Sequence, residues 1–346
     1  MLMLTCIKGL NSVAAAEIKE KLKDFVILRQ EPGFIFLDYN GHPRRLLDLR
    51  SIEDIFYVLI DETGFTRSRS TLSTLEEKIK YASFEKGLDY HAQLYSKPKH
   101  TTFQIFTHLY GRFNFRRIDL DKVVSRTIAL KFNKWKATHG EAKIEFDVRL
   151  FKSGELILSL RLSNKFFSNR KYKVIELLGA LKPTVAYALV CLTQPRPDDI
   201  FADPFCGSGT ILMERSLTAP ARKIFGYDRD ANAVETAQAN CAARPNIELA
   251  VAAAQRLPLP DRSLDIMATN PPFGATFAQD QNLFSDFLAE AGRVLKPGGR
   301  LVVLNGDVGG FETAVKKSAP RFRVENQQDI NLLGKPARIW VLKAEK

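Results

Sequence analysis

The chain has 346 residues, 45% of them hydrophobic and 26% charged, with a formal net charge of +12. That length exceeds one ordinary core and implies more than one domain. The composition excludes a disordered chain, and no apolar run reaches the ~20 residues a membrane-spanning helix needs.

The excess charge is unevenly placed. Residues 1–180 hold 31 Lys and Arg against 21 Asp and Glu, a net of +10, whereas residues 181–346 hold 20 against 18. This asymmetry points to a polyanion held by the first half and chemistry done by the second. Lys8 and Glu17 cut short the first apolar stretch, so no secretory leader is expected. Cys6, Cys191, Cys206 and Cys241 form no CxxC pair, which fits reduced thiols in a cytoplasmic protein. The histidines, at 42, 91, 100, 108 and 139, have no ligand spacing with the cysteines, and no metal is expected.

In chain order, strands are predicted at Leu2–Ile7 and Phe34–Tyr39, with a helix at Val13–Leu22 between them. Further strands follow at Phe103–Leu109, Ile144–Leu150 and Leu156–Leu162. An amphipathic helix covers Leu120–Asn133, and Lys152-Ser153-Gly154-Glu155 closes a hairpin. A basic stretch, Ser163 to Lys173, marks the domain boundary. Beyond it the pattern becomes a βα repeat. Strands are predicted at Ile200–Asp203, Lys223–Asp228, Ile247–Val251, Leu264–Thr269, Arg300–Leu304, Phe322–Asn326 and Arg338–Leu342. Helices are predicted at Leu181–Leu192, Thr210–Leu217, Ala231–Arg244, Gln281–Val294 and Phe311–Lys317. This alternation gives an α/β, doubly wound, mostly parallel sheet. Its ligands would sit beyond the carboxyl ends of the strands, where loops 203–210, 228–230 and 269–274 converge.

Three motifs fall on those loops. The run Asp203-Pro204-Phe205-Cys206-Gly207-Ser208-Gly209-Thr210 links a strand to a helix, and its glycines permit tight turns and close ligand approach. The position three after Gly209 is Leu212, which breaks the dinucleotide fingerprint, and no Gly-Lys-Ser/Thr follows to make a P-loop. Asp228 ends the second strand about 20 residues on, where an acid binds ribose hydroxyls; Asp230 is placed to cap the next helix. Asn270-Pro271-Pro272-Phe273 ends a strand in a rigid corner. The Asn270 carboxamide oxygen and the Pro271 carbonyl can both accept from one conjugated amine, and Phe273 can stack on its ring. An adenosine ligand without a diphosphate, beside such a corner, implies S-adenosylmethionine.

These motifs resemble the class I methyltransferases that act on amino nitrogens. The run Phe201–Glu214 and the helix Leu181–Leu189 narrow the resemblance to the THUMP-containing RNA guanine-N2 methyltransferases, most of all the tRNA enzymes that act at position 6 of the acceptor stem. Ser168–Lys173 is similar to the basic join between their two domains. The resemblance implies a ferredoxin-like unit (1–54), a THUMP RNA-binding unit (55–165), a linker (166–180) and a Rossmann-like class I domain with a seven-stranded sheet (181–346). It carries Thr184, Arg229, Ala253 and Ala254 to the cofactor site, together with the glycine loop, Asp228 and Asn270. One departure stands out: Ala253 occupies the place of an acid that accepts from adenine. The expected substrate is tRNA, gripped at its 3′ end by a monomer. Candidate phosphate contacts are Arg112, Arg116, Arg117, Lys165, Arg170, Lys171 and Lys173, with Phe113, Phe115, Phe166 and Phe167 either stacking on bases or filling a core face. The competing expectations are another tRNA guanosine such as position 10, an rRNA, an adenine N6, a protein glutamine, or a catalytically silent RNA-binding module.

Overall fold

The computed structural model describes residues 1–95, 101–177, 179–272, 282–332 and 334–345. Two sheets organise them. The first contains β1 (Leu2–Cys6), β2 (Phe25–Glu31), β3 (Phe34–Tyr39), β4 (Ile52–Glu62), β5 (Thr101–Tyr110), β6 (Trp135–Ala137), β7 (Ile144–Phe151) and β8 (Leu156–Arg161), in the order β2-β3-β1-β4-β8-β7-β5-β6. Helices α1 (Asn11–Lys21), α2 (Ser70–Tyr81), α3 (Glu85–Tyr95) and α4 (Arg117–Lys131) belong to the same half. Their apolar faces share one core with the sheet, in which Ile18, Leu75, Ile79, Leu120 and Val124 pack with Leu4, Ile55 and Leu158. Strand β4 crosses the expected 54/55 boundary and pairs with both β1 and β8, so residues of both proposed N-terminal units lie in one continuous sheet.

Strands β2, β4 and β6 and helices α2 and α3 are additions to the elements read from sequence. In β4 apolar residues serve both faces of the sheet. Ile55 faces the helical core while Phe56 and Val58 join Met3 and Phe36 on the other side, so the chain shows no alternation there.

The second sheet contains β9 (Ile200–Asp203), β10 (Lys223–Asp228), β11 (Ile247–Val251), β12 (Leu264–Thr269), β13 (Leu295–Asn305), β14 (Phe322–Leu332) and β15 (Lys335–Ala344). Their order is β11-β10-β9-β12-β13-β15-β14, parallel except for β15, as the βα repeat requires. Consecutive residues of β9 face opposite cores: Phe201 packs with α5 (Pro183–Leu192), α6 (Thr210–Thr218) and α7 (Ala231–Cys241), and Ala202 with α8 (Leu283–Val294) and α9 (Val308–Lys317). Burial on both faces explains the near-continuous apolar strands of this half. After β9 the chain builds outward to β10 and β11, then crosses to β12 on the other side. That reversal opens a crevice at the carboxyl ends of β9 and β12.

Candidate active site

The glycine loop forms the floor of the crevice. Cys206 donates its backbone N–H to Tyr227 O at 2.8 Å, and Gly209 its own to Cys206 O at 2.8 Å. Gly209 has φ +81°, and a Cβ there would lie 2.8 Å from Cys241 Sγ, so only glycine fits. Gly207 has φ +50° and open space where a Cβ would stand. Thr210 then opens α6, whose first amides point toward the crevice. Ser208 is buried, with its Oγ 3.4 Å from Thr210 Oγ1. Pro204 and Cys206 are buried and Phe205 half-buried, its ring edge-on to Phe287. Burial pushes the Cys206 thiol well up, and the charges of Asp203 and Asp228 push it the same way, so it is a core thiol.

Asp203 is 1% exposed. Its Oδ1 accepts from Thr269 Oγ1 at 2.6 Å and from the Phe205 N–H at 3.1 Å, while Oδ2 is buried with no partner among the described residues. Burial raises its pKa to about 7, the nearby Asp228 charge adds to the rise, and those two hydrogen bonds oppose it. Asp228 accepts from the Gly207 N–H and the Asp230 N–H, each at 3.0 Å. One bond to each oxygen leaves acceptor capacity on both. Asp230 caps α7 by accepting from Asn232 N at 3.0 Å.

At the end of β12, Asn270 keeps its Oδ1 buried and, among the described residues, without a partner. Pro271 is buried and Pro272 half-buried, with no N–H to compete for that oxygen. Phe273 lies outside the described residues. Arg229 and Ala253 are exposed beside β10 and β11. Ala254 is 3% exposed and packs with Leu257 and Tyr227, so its side chain is core. The structure therefore brings the glycine loop, Asp228 and Asn270 to one edge of the sheet.

Thr184 departs from its expected place. Its hydroxyl donates to Glu53 of β4, and Lys182 Nζ lies 2.6 Å from the same carboxylate, which puts Thr184 on the seam between the two halves. Arg170 departs as well. Its side chain is 11% exposed, bound to Glu214 at 3.3 Å and to Arg50 O at 2.8 Å, because a guanidinium at a buried carboxylate is held there by charge as well as hydrogen bonds. Lys173 is 10% exposed against Glu176, and Lys165 pairs with Glu141 at 2.6 Å. Arg112, Arg116, Arg117 and Lys171 are exposed. Among the aromatics, Phe115 is core and Phe113 and Phe167 pack partly on that core, while Phe166 is 60% exposed with Lys165 over its ring.

Two residues of this edge carry no motif. Thr269, fully buried, clamps Asp203; a polar residue ending an apolar strand was its signal. Asn240 of α7 accepts from the N–H groups of Val174 and Ile175 and donates to Ile175 O and Ser208 O, all at 2.8–3.0 Å. It sits in an ordinary helical run, and nothing in the sequence distinguishes it.

Residues 170–335 match the family model described as UPF0020, RMKL-like, methyltransferase domain. That match lies almost wholly within the half of the chain that carries the second sheet. A tRNA (guanine(6)-N2)-methyltransferase of Thermus thermophilus is 31% identical over 209 residues, 58% of this chain and 60% of that protein. The match thus spans less than two thirds of that relative's length. A protein of the same name from Methanocaldococcus jannaschii is 23% identical, with 98% of each chain covered. The crystal structure of TrmN from Thermus thermophilus shares the fold, with a TM-score of 0.83 at 22% identity over 99% of each chain. The class I methyltransferase fold and the resemblance to tRNA guanine-N2 methyltransferases are therefore as the sequence motifs implied. Among the described residues no helix is long and apolar enough to cross a membrane, and no cluster of three or more His, Cys, Asp or Glu is placed to hold a metal ion.

Proposed function

We propose that the protein transfers a methyl group from S-adenosylmethionine to the exocyclic N2 of a guanosine in tRNA, at position 6 of the acceptor stem, acting as a cytoplasmic monomer. The observation that carries this reading is the Asn270 carboxamide oxygen, an acceptor buried beside two prolines and unpaired among the described residues. A buried acceptor without a partner costs about 1–3 kcal/mol, and a bound amine removes that cost. The relatives from Thermus thermophilus and Methanocaldococcus jannaschii, both tRNA (guanine(6)-N2)-methyltransferases by name, support guanine-N2 and tRNA.

The residues fit the donor. Asp203 Oδ2 offers an unused acceptor for an ammonium, Gly207 leaves room for close approach, and Asp228 keeps capacity for ribose hydroxyls. When bound, S-adenosylmethionine supplies an electrophilic methyl group on a sulfonium. The protein's part is position and polarity. Asn270 Oδ1 and the Pro271 carbonyl accept from the guanine amine, hold its lone pair toward the crevice and stabilise the positive charge that grows on nitrogen. A paired guanosine must first leave its stack at a cost of a few kcal/mol. Residues 55–165, proposed as a THUMP unit, grip the tRNA 3′ end with Arg112, Arg116 and Arg117 and supply the energy for that step.

The test is direct. The protein is incubated with labelled methyl donor and unmodified total tRNA, which is then digested to nucleosides. Label in N2-methylguanosine is expected, and fragment mapping should place it at position 6. Label in N6-methyladenosine, or none in RNA, overturns the reading.

A further inference from the structure

The two halves of the chain meet along a seam of buried carboxylates. Glu214, fully buried in the second turn of α6, accepts from Arg50 Nε at 2.9 Å and Nη2 at 2.6 Å, from Arg170 Nε at 3.3 Å and from the Tyr172 hydroxyl at 2.6 Å. Arg50 belongs to the N-terminal half, just before β4; Arg170 and Tyr172 lie in the connecting segment. Arg170 closes the ring by donating to Arg50 O at 2.8 Å. On the N-terminal side the Arg50 N–H donates to Glu17 Oε1 at 2.7 Å. One carboxylate thus collects two guanidiniums and a phenol from two separate segments of the chain. An arginine held through two N–H groups is directional, so the contact fixes an angle as well as a distance.

Helix α6 makes that angle consequential. It starts at Thr210, directly after the glycine loop, and Glu214 follows within five residues. The helix whose amino end faces the crevice is therefore the one that carries the N-terminal half. The connecting segment is tied to the loop a second time, through Asn240, which links Val174 and Ile175 to Ser208 O.

We propose that Glu214 is a positioning residue for methyl transfer: through Arg50 and Arg170 it sets the angle at which RNA held by the N-terminal half meets the Asn270 corner. The proposal rests on the function proposed above. A displacement of ~1 Å in reacting groups is enough to cost ~10²-fold in rate while binding persists.

The experiment compares Glu214→Gln and Arg50→Ala with the wild type, measuring donor affinity, tRNA affinity, single-turnover rate at saturation and the position of the methyl group. Both variants are expected to keep donor and tRNA affinity within threefold, to lose 10- to 100-fold in saturated rate, and to scatter methyl groups to neighbouring guanosines. Arg50→Ala leaves α6 untouched and decides the matter if Glu214→Gln does not fold. Unchanged rate and site in Arg50→Ala overturns the proposal, as does rate loss that tracks lost donor affinity in both variants, which would make Glu214 a prop for the glycine loop. A wild type that methylates no tRNA overturns the proposed function instead.

Discussion

Asp203 and Glu214 are buried carboxylates on either side of one glycine loop, and they are treated in opposite ways. Among the described residues, Glu214 receives four hydrogen bonds from protein donors, whereas Asp203 keeps Oδ2 with none. Two asparagines repeat the contrast. Asn240 has protein partners for both its oxygen and its nitrogen, and Asn270 has none for its buried oxygen among the described residues. Leaving a buried acceptor bare costs free energy that the fold does not recover, so a bare acceptor marks where a ligand's donors belong. A saturated one marks the frame. By this criterion the candidate active site is the carboxyl edge of β9 and β12, and the seam beneath it is scaffold.

The largest effect should come from Asn270. Asn270→Ala removes an acceptor that matters as charge develops on the amine, so single-turnover methyl transfer should fall ~10²- to 10³-fold, the scale of removing one preorganised polar group. Donor affinity measured by calorimetry should change less than threefold. Equal losses in both would place Asn270 in the frame and erase the contrast with Asn240.

Glu17 tests the frame. It accepts from Lys21 Nζ, the Arg50 and Ser51 N–H groups and the Ser51 hydroxyl. Burial alone would push its carboxyl up, but Lys21, Ser51 and Arg50 outweigh it and hold the pKa below the usual range. Glu17→Ala strands these donors and should lower unfolding free energy by ~2–4 kcal/mol, read from urea denaturation. A lowered folded pKa means this stabilisation is present above the unfolded value of 4.5 and fades as pH falls through the folded one, so the variant and the wild type should converge in acid. A variant as stable as the wild type would show that the seam's saturated carboxylates do not hold the fold.

The two halves also differ in how far sequence alone reveals them. Every strand of the second sheet could be placed: the inner strands β9, β12 and β13 bury both faces and stand as short apolar runs, and the exposed edge strands β11 and β14 follow from the spacing of the repeat. The first sheet was only half legible. Strand β2 exposes Val26 and Leu28, and β4 serves two cores, so neither shows a clean period. At the candidate site, the convergence of the glycine loop, Asp228 and Asn270 on one sheet edge was legible, because all three follow the carboxyl ends of strands that the sequence already placed. Thr184 and Arg170, expected at cofactor and RNA, meet carboxylates across the seam instead, because a charged or polar side chain near a boundary looks the same in sequence whether it meets a ligand or a carboxylate of another segment.

Asp203 offers a pH test of the open acceptor. Its folded pKa is raised to about 7 from 3.8, so between those values the folded protein holds a proton that the unfolded chain has lost. Stability of the free protein should therefore decline from pH 4 to 7 and level off above. Three units at ~1.4 kcal/mol each set a ceiling of ~4 kcal/mol, and Asp203→Asn should flatten the curve. A cationic donor bound at Oδ2 favours the ionised form, so its affinity should rise toward pH 7 by up to tenfold per unit. A wild-type affinity independent of pH would mean that Oδ2 meets no ligand cation.

The smallest effect separates surface from seam within a single basic stretch. Lys171 is exposed and makes no ion pair among the described residues, while its neighbour Arg170 is locked to Glu214. Lys171→Ala should weaken tRNA binding only two- to threefold near physiological salt and reduce the slope of log affinity against log salt by ~0.7, the loss of one phosphate contact. Arg170→Ala should leave that slope unchanged and lower thermal stability instead, because it strips a donor from a buried carboxylate. If Arg170→Ala lowers the salt slope while stability holds, then Arg170 releases Glu214 to reach RNA, and the seam opens on binding.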